Sequence, residues 1–303
     1  MKIAAIDIGS NAIRLLISEA HPYKDKEVDF TKLLFLRIPL RLGFDVFEKG
    51  KISKKKQEQL TDSMQAFKML MNVYKVEVYR ACATSAMRDA KNGKALIKAI
   101  KADTDIAIDI ISGQEEATII YNAHLGEKNN AQKTLLYIDV GGGSTELSLF
   151  QDNKLVKKES FNIGTIRVLQ NQVSKAHWQA LARFLKVIVK KNPKVQLVGS
   201  GGNINKLFSL SKQKEGKPLS KATLTTYYNS LNAMSIEERM HHYDLREDRA
   251  DVMVPALSIF LNIMEHTQSN EIYVPKIGLA DGLIHMLYDE IKKNKLETSS
   301  LAL

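Results

Sequence analysis

Two segments of this chain carry the same local pattern, and this repeat constrains the fold more than any other feature. Each predicts a strand, a turn containing Asp-x-Gly and a second strand: IAAIDIGSNAIRLLI at 3–17 and LLYIDVGGGSTELSL at 135–149. Asp7 and Asp139 occupy matching places in the two hairpins. Two mixed α/β halves that each begin with such a hairpin indicate a duplicated domain with a cleft between the copies.

A polar segment without periodicity, LGEKNNAQK at 125–133, separates the two halves. We therefore predict a first domain over 1–124 and a second over 125–303. A C-terminal helix at about 280–294 is expected to pack back on the first domain.

Hydrophobic periodicity also predicts local structure within the first half. Residues 53–74 have the spacing of an amphipathic helix, and the stretches near 28–46 are β-like. The segment NGKALIKAI predicts a short helix with Asn92 as its cap.

The charge balance predicts an anionic partner. The 303 residues include 44 Lys+Arg against 34 Asp+Glu, a formal net charge of +10, with a pI near 9.4. Such an excess attracts polyanions in general, although a solvated basic surface explains it equally well. The lysine-rich stretches are 49–56, 186–194, 212–221 and 292–295.

The composition also favours a cytoplasmic protein. No run of about 18 apolar residues suggests a membrane span, and the N-terminal MKIAAIDIG lacks the pattern of a signal peptide. The single cysteine, Cys82, has no partner within the chain, which favours a reducing compartment. We expect neither a membrane nor nucleic acid as a partner.

Three consecutive glycines, Gly141, Gly142 and Gly143, favour the close approach of an anion to the turn of the second hairpin. Glycine tolerates positive φ and lets several N–H groups converge on one set of oxygens. Ser144 and Thr145 add hydroxyl donors. A tight or bulged hairpin, which also uses glycines, is the structural alternative. The matching DIGSN turn is a weaker second candidate.

Asp7, Asp139 and Glu146 form a set of hard oxygen ligands suited to Mg²⁺, or Mn²⁺ in its place. Mg²⁺ binds few carboxylates and keeps its waters for substrate phosphates. The alternative for a single aspartate is a side chain that caps its own turn.

The segment SGQEEA offers two adjacent acids with different expected roles. If Ser112 caps the helix, Glu115 falls at the third helical position and completes a capping box. Glu116 lies one step further round the helix, where it is available as a general base.

Two further positions suit phosphate. Arg88 follows a predicted strand and could bind a phosphate with two hydrogen bonds, or pair with Asp89 on the surface. The VGSGGN segment places Gly201 and Gly202 in a strand-to-helix turn, where a helix N-terminus favours anions.

Together these motifs resemble the exopolyphosphatase and guanosine-pentaphosphate phosphohydrolase (Ppx/GppA) family, which has the fold of actin, sugar kinases and heat-shock ATPases. The similarity covers about residues 3 to 290. It rests on the following segments, in this order: AAIDIGSNAIRLLI, ATSAMRDAKNG, ISGQEEATIIY, YIDVGGGSTELSLF, VGSGGNINKL, RADVMVPALSIF and GLADGLI.

The resemblance implies an α/β protein of two ribonuclease H-like domains, in a short form of the family that acts as a homodimer. It implies that Glu116 activates water and that Asp139 belongs to the metal and phosphate site. It further implies phosphate contacts in both hairpin turns and beside two later segments. These positions are Asp7, Ser10, Asn11, Arg88, Gly141 to Ser144, Gly201 and Gly202.

Two substitutions depart from the family pattern. Ala12 stands where the family often has a second serine, and Ala280 replaces a basic residue of the closing GLREG motif. The expected reaction is hydrolysis of a terminal phosphoanhydride of inorganic polyphosphate. The alternatives are hydrolysis of pppGpp, a regulator that binds nucleotide or polyphosphate without turnover, and a sugar kinase.

Overall fold

The computed structural model describes residues 1–22, 28–125, 134–152, 154–275 and 277–300. They form two compact units: Met1–Lys128 with Leu279–Leu303, and Asn129–Gly278. The predicted second domain extended to residue 303, and its C-terminal helix was expected to pack on the first domain. In the structure, the segment from Leu279 belongs to the first unit. Most of the predicted boundary segment, 125–133, lies outside the described residues.

The first unit opens with a β-hairpin and adds helices around a mixed sheet. Its elements up to the unit boundary are β1 Lys2–Ile8, β2 Ile13–His21, β3 Asp29–Ile38, α1 Leu42–Lys49, α2 Lys54–Tyr74, β4 Val78–Ala83, α3 Ser85–Asp89, α4 Gly93–Thr104, β5 Ile108–Ile110 and α5 Gly113–Leu125. The predicted helix at 53–74 is confirmed as α2. The β-like stretch near 28–46 is strand only over β3, because α1 begins at Leu42.

The second unit repeats this plan and adds a helical segment. Its elements are β6 Leu135–Val140, β7 Thr145–Gln151, β8 Lys154–Phe161, α6 Thr165–Leu169, α7 Lys175–Lys191, β9 Gln196–Ser200, α8 Gly202–Leu210, β10 Leu219–Ser220, α9 Lys221–Asn232, α10 Ile236–Tyr243, α11 Glu247–Ala250, α12 Met253–His266 and β11 Glu271–Tyr273. The final helix, α13 Leu279–Ser300, returns to the first unit.

The two sheets have equivalent strand orders. The first is β3-β2-β1-β4-β5, and the second, written in the same direction, is β8-β7-β6-β9-β11-β10. In both, the opening hairpin is antiparallel and its first strand pairs in parallel with the strand after the helices. Asp7 lies opposite Arg14 in one hairpin, and Asp139 lies opposite Glu146 in the other. This confirms the duplicated ribonuclease H-like α/β fold.

Strand β1 reads as a continuous apolar run because both of its faces are covered. Ala4, Ile6 and Ile8 belong to the core beneath α2 and α4. Ile3 and Ala5 belong to the opposite core, which α5 and α13 supply. Side chains alternate along a strand, so Asp7 falls on the sheet face that α5 and α13 cover.

In the described part of the chain, no helix combines the length and apolar character needed to cross a bilayer.

Candidate active site

The turn of the second hairpin, residues 141–144 and here called the glycine turn, does not need glycine for its backbone conformation. The Gly141 N–H donates to the Ser144 carbonyl at 2.9 Å and closes the turn. Among the described residues, the glycines with positive φ are Gly50, Gly201 and Gly216. The left-handed conformation for which hairpin turns select glycine therefore does not explain the three glycines.

The carbonyl oxygens of the three glycines face the segment that forms α6. Gly141 O accepts from Thr165 N–H at 3.0 Å, Gly142 O from Ile166 N–H at 2.9 Å, and Gly143 O from Arg167 Nε at 2.8 Å. In a trans peptide the carbonyl and the N–H that follows it point in opposite directions. The N–H groups of Gly142, Gly143 and Ser144 therefore point away from α6. Successive backbone N–H groups that point to the same side are typical of anion-binding turns.

The hydroxyl groups beside the glycine turn serve the protein itself. Ser144 Oγ donates to Glu146 Oε1 at 2.6 Å. Thr145 is fully buried, and its hydroxyl donates to the Ile163 carbonyl at 2.5 Å. Both predicted hydroxyls are thus used within the protein, and the backbone N–H groups of Gly142, Gly143 and Ser144 are the remaining candidate donors of the turn.

The turn of the first hairpin, residues 9–12 and here called the Ser10 turn, is built in the same way. Its carbonyls bind the start of α1: Ser10 O accepts from Gly43 N–H at 2.8 Å and Asn11 O from Arg41 N–H at 2.9 Å. The N–H groups of Asn11 and Ala12 consequently point away from α1. The Ser10 hydroxyl lies 2.8 Å from that of Ser85, the first residue of α3.

Two carboxylates lie together beside the glycine turn. Asp139 and Glu146 are cross-strand neighbours, so their side chains share one face of the sheet. Glu146 is buried, and its Oε1 also accepts from Ser160 Oγ at 3.0 Å. A Cβ placed on Gly201, which has φ +105°, would lie 3.1 Å from Asp139 Oδ1. The turn at Gly201 and Gly202 therefore packs directly against Asp139.

The acid pair fits a magnesium ion. Mg²⁺ takes one or two carboxylates and completes its shell with water and substrate phosphates. The described residues contain no cluster of three or more His, Cys, Asp or Glu side chains arranged to hold a metal. Asp139 and Glu146 would supply two carboxylates.

Asp7 stands in the equivalent place of the first hairpin but has a different partner. Its carboxylate forms an ion pair with Arg14, which occupies the register position that Glu146 occupies in the second hairpin. The two hairpins therefore differ at this register position, where the first has an arginine paired with Asp7 and the second an acid. The ion pair with Arg14 competes with a metal for the Asp7 carboxylate.

The two adjacent glutamates of α5 are in different environments. The Glu115 N–H donates to Ser112 Oγ at 3.1 Å, which confirms half of the predicted capping box. The other half is wrong, because the Glu115 carboxylate binds Arg80 Nη2 at 2.9 Å. Glu116 is half-buried in the first helical turn, and its N–H donates to the Ser112 carbonyl at 3.0 Å. Its predicted role as a base stays a prediction.

Arg88 lies near the start of that helix. Its Nη1 donates to the carbonyl of Ile111 at 3.2 Å, two residues before α5 begins. The predicted alternative, an ion pair with Asp89, is only a weak contact because Nε and Oδ1 are 3.9 Å apart. Arg88 and the N-terminal end of α5 are thus neighbours within the first unit.

Cys82 lies beside Asp7 in the parallel register of β1 and β4. The thiol is completely buried, and burial raises the pKa of Cys82 to about 12. A nucleophilic cysteine needs a lowered pKa, so Cys82 is a core residue, as the apolar strand around it predicts.

Two residues that hold the glycine-containing turns in place were not predicted from the sequence. Gly164 precedes α6, and a Cβ there would overlap Gly142 O and Gly143 C, so α6 can approach the glycine turn only with glycine at this position. Arg249 Nη1 donates to the Gly202 carbonyl at 2.6 Å and fixes the turn at Gly201 and Gly202. In the sequence, Gly164 lies in the triplet IGT and Arg249 in the triplet RAD, and neither triplet is distinctive enough to predict these contacts.

The departures from the family pattern fall at buried positions. The Ala12 side chain is 1% exposed, so the replacement removes a hydroxyl but keeps the backbone N–H of the Ser10 turn. Ala280 lies in the apolar core that α13 shares with α5. Next to it, a Cβ on Gly282 would lie 2.7 Å from the Ile119 carbonyl. In this chain, GLADG therefore packs two helices together.

Comparison with known proteins settles the family. The profile described as the Ppx/GppA phosphatase family matches residues 23–293. The chain belongs to this family. It is 30% identical to exopolyphosphatase 2 of Mycobacterium tuberculosis over 56% of the chain and 54% of that protein. It is 22% identical to the guanosine-5'-triphosphate,3'-diphosphate pyrophosphatase of Vibrio parahaemolyticus over 98% of the chain and 61% of that protein.

A solved member of the Ppx/GppA family, from Aquifex aeolicus, superimposes with a TM-score of 0.74 at 25% identity, covering 97% of this chain and 98% of that one. The chain spans about half the length of the curated relatives it matches. Family membership therefore does not by itself transfer the substrate of any one relative.

For this Ppx/GppA protein we predict that Gly142→Ala retains the fold but weakens phosphate binding. The backbone at Gly142 does not need positive φ, whereas a methyl group beside the outward N–H groups obstructs an approaching anion. The KM for a phosphoanhydride substrate should rise about tenfold or more, with an unchanged thermal unfolding midpoint.

Gly164→Ala is the matched comparison, because it adds the same methyl group on the side of the turn that faces α6. Overlap with the backbone of the glycine turn should destabilise the protein by about 1–3 kcal/mol. Thermal unfolding and phosphate-release kinetics on both variants separate the two effects. Equal loss of stability in both variants would contradict an anion-binding role for Gly142.

Proposed function

We propose that this protein is an exopolyphosphatase, which releases terminal orthophosphate from inorganic polyphosphate. The observation that carries the proposal is the glycine turn. Its N–H groups point away from α6, and the carboxylates of Asp139 and Glu146 lie on the two adjacent strands. A phosphate with bound Mg²⁺ matches both features, since it needs donors for its oxygens and acids for its metal. The exopolyphosphatase relative supports this choice of substrate.

The residues divide the work as follows. The N–H groups of the glycine turn hold the terminal phosphate, and Glu116 orients the attacking water and accepts its proton. Arg88 binds a further phosphate oxygen. Asp139 and Glu146 would hold Mg²⁺, which supplies positive charge that phosphate oxygens require. Catalysis of this kind depends mainly on positioning and charge neutralisation, so no covalent intermediate on the enzyme is needed.

Hydrolysis of pppGpp is the second candidate. The Vibrio relative that covers 98% of the chain is a pyrophosphatase of guanosine-5'-triphosphate,3'-diphosphate. The same phosphate-binding machinery serves both substrates, and the difference is a purine site. The turn at Gly199–Asn203 is the candidate for that site, but glycine and asparagine there provide no aromatic surface on which a base could stack.

Separate incubations with long-chain polyphosphate, pppGpp and ATP plus a sugar acceptor, each with Mg²⁺, test the proposal. We expect orthophosphate release from polyphosphate with the highest kcat/KM. Release from pppGpp alone would favour the second candidate. Binding of polyphosphate without release would indicate a regulator, and a phosphorylated sugar would indicate a kinase.

We further predict that activity requires a divalent metal. Removal of metal with excess chelator should abolish phosphate release, and Mg²⁺ or Mn²⁺ should restore it, because the ion would link the two carboxylates to the substrate phosphates. Thermal unfolding in chelator serves as the control and should show a folded protein. Full activity in excess chelator would refute the metal assignment.

A further inference from the structure

Two lysine-rich segments of the first unit meet at one place on its surface. Lys91 N–H donates to the Gly50 carbonyl at 3.0 Å. Asn92 Oδ1 accepts from Ile52 N–H and Asn92 Nδ2 donates to the Ile52 carbonyl, both at 2.9 Å. The segments 48–56 and 89–94 are therefore held side by side.

Both segments lead directly from the Ser10 turn. Helix α1 begins there, because Gly43 N–H donates to the Ser10 carbonyl, and it ends at Lys49. Helix α3 also begins there, through the contact of the Ser85 and Ser10 hydroxyls, and is followed by Lys91. At 1.5 Å per residue, α1 places Lys49 about 10 Å from the turn.

This surface carries a strong excess of positive charge. Residues 48–56 and 89–94 contain seven lysines and only two acids, Glu48 and Asp89. Lys56 is committed to the protein, since its Nζ donates to the Arg41 carbonyl at 2.6 Å and pairs with Asp45 at 3.1 Å. The other six are exposed: Lys49, Lys51, Lys54, Lys55, Lys91 and Lys94.

Stability of the fold does not account for these lysines. The first helical turn of α2 contains Lys54, Lys55 and Lys56 and no acid. Cations at a helix N-terminus oppose the helix dipole, so this arrangement weakens the helix. Clustering of like charge costs further free energy, which a bound polyanion would offset.

The two other interior lysine-rich stretches are placed differently in the second unit. The stretch 186–194 ends beside Gln151, whose Nε2 donates to Asn192 Oδ1 at 2.6 Å. Gln151 is the last residue of β7, and β7 begins at the glycine turn, so the two are about 20 Å apart. The stretch 212–221 follows the end of α8, about 12 Å along that helix from Gly202. Its last lysine, Lys221, is committed to the protein, since its N–H donates to the Asn270 carbonyl and its Nζ pairs with Glu265.

We propose that the six exposed lysines form a polyphosphate track, which binds the part of an inorganic polyphosphate chain that lies beyond its reacting end. The identity of the anion rests on the proposed function, whereas the location of the track rests on the geometry above. A long chain contacts the distal lysines, whereas a chain of three phosphates that is bound by its reacting end has no further phosphates to contact Lys49, Lys51 and Lys91.

The test compares two triple variants of equal charge change. Lys49→Gln, Lys51→Gln and Lys91→Gln together remove the distal end of the track. Lys190→Gln, Lys191→Gln and Lys194→Gln form the control. Lys190 and Lys191 lie in the last turn of α7, as Lys49 lies in the last turn of α1. Binding of long-chain polyphosphate is measured in chelator, without turnover, over a range of salt concentrations.

The track variant should bind long-chain polyphosphate roughly tenfold more weakly at low salt, and its slope of log K against log[salt] should fall by about 2 to 3. The control should match the wild type. Hydrolysis of tripolyphosphate in Mg²⁺ should be unchanged in both variants. Equal loss in the control, or no loss in the track variant, would overturn the track.

Single-stranded DNA of matched charge serves as the competing polyanion. If DNA bound as tightly, with the same dependence on the three lysines, the surface would be a nucleic-acid site and the polyphosphate assignment would be overturned. If the wild type released no orthophosphate from any chain but the track variant still lost polyphosphate binding, the track would stand and the proposed function would fail.

Discussion

Glu116→Gln should lower kcat for orthophosphate release by roughly 10²–10⁴, the usual contribution of a general base. Glutamine keeps the size and hydrogen-bonding capacity of the side chain but cannot accept the proton of the attacking water. Glu116 lies in the first helical turn of α5 through its own backbone bond to Ser112, so the fold should not depend on its charge. Steady-state kinetics on polyphosphate, with thermal unfolding and binding in chelator, measure the three quantities separately.

Glu115→Gln is the matched control, because it makes the same chemical change one residue away. It removes the ion pair with Arg80, which is 44% exposed on the glutamate side. Exposed pairs of this kind contribute about 0–1 kcal/mol, so stability should fall slightly and kcat should stay near that of the wild type. A large loss of rate in Glu115→Gln with little loss in Glu116→Gln would reverse the assignment.

Asp139→Asn should lower turnover by roughly 100-fold or more, or raise the Mg²⁺ concentration needed for half-maximal rate by a similar factor. The effect of Asp139→Ala should be at least as large. The carboxylate lies beside Glu146 and against Gly201. Asparagine fills the same space without the charge that attracts the metal. Activity is measured as a function of Mg²⁺ concentration.

Asp7→Asn tests whether the equivalent acid of the first hairpin has the same role. Its carboxylate neutralises Arg14, so the change leaves a partly buried cation and should chiefly destabilise the fold, by about 1–3 kcal/mol. The Mg²⁺ dependence should remain close to that of the wild type. A shift in the Mg²⁺ dependence with Asp7→Asn and none with Asp139→Asn would place the metal in the first hairpin.

The elements with strong periodic patterns could be predicted from the sequence. The helix expected over 53–74 is α2, Lys54–Tyr74, because Leu60, Met64, Phe67 and Met71 form a continuous apolar stripe that is buried. The repeated hairpin gave the duplicated fold, since its strands are short apolar runs on both sides of a turn.

Short helices held by tertiary contacts could not be predicted. Helix α1 has only eight residues, and its start is defined by hydrogen bonds from Arg41 and Gly43 to the Ser10 turn, which is distant in sequence. Asn92 does precede α4 as predicted, but its side chain does not cap the helix and binds Ile52 in both directions. Such long-range bonds leave no local pattern.

The candidate site shows the same division. The glycine turn and the acid pair were recognisable because residue types and spacing carry their chemistry. The partners of individual atoms were not: the hydroxyls of Ser144 and Thr145 are used within the protein, and Arg14 neutralises Asp7. Which donor faces the substrate depends on carbonyl directions, and these follow from where α6 packs.

The most direct test of the proposed function is an internal competition between long-chain polyphosphate and pppGpp in one Mg²⁺-containing reaction. The ratio of the two rates of disappearance gives the ratio of kcat/KM values, which defines specificity. We predict that polyphosphate is shortened from its end with release of orthophosphate, and that most pppGpp remains. Conversion of pppGpp to ppGpp while the polyphosphate stays intact would contradict the proposal.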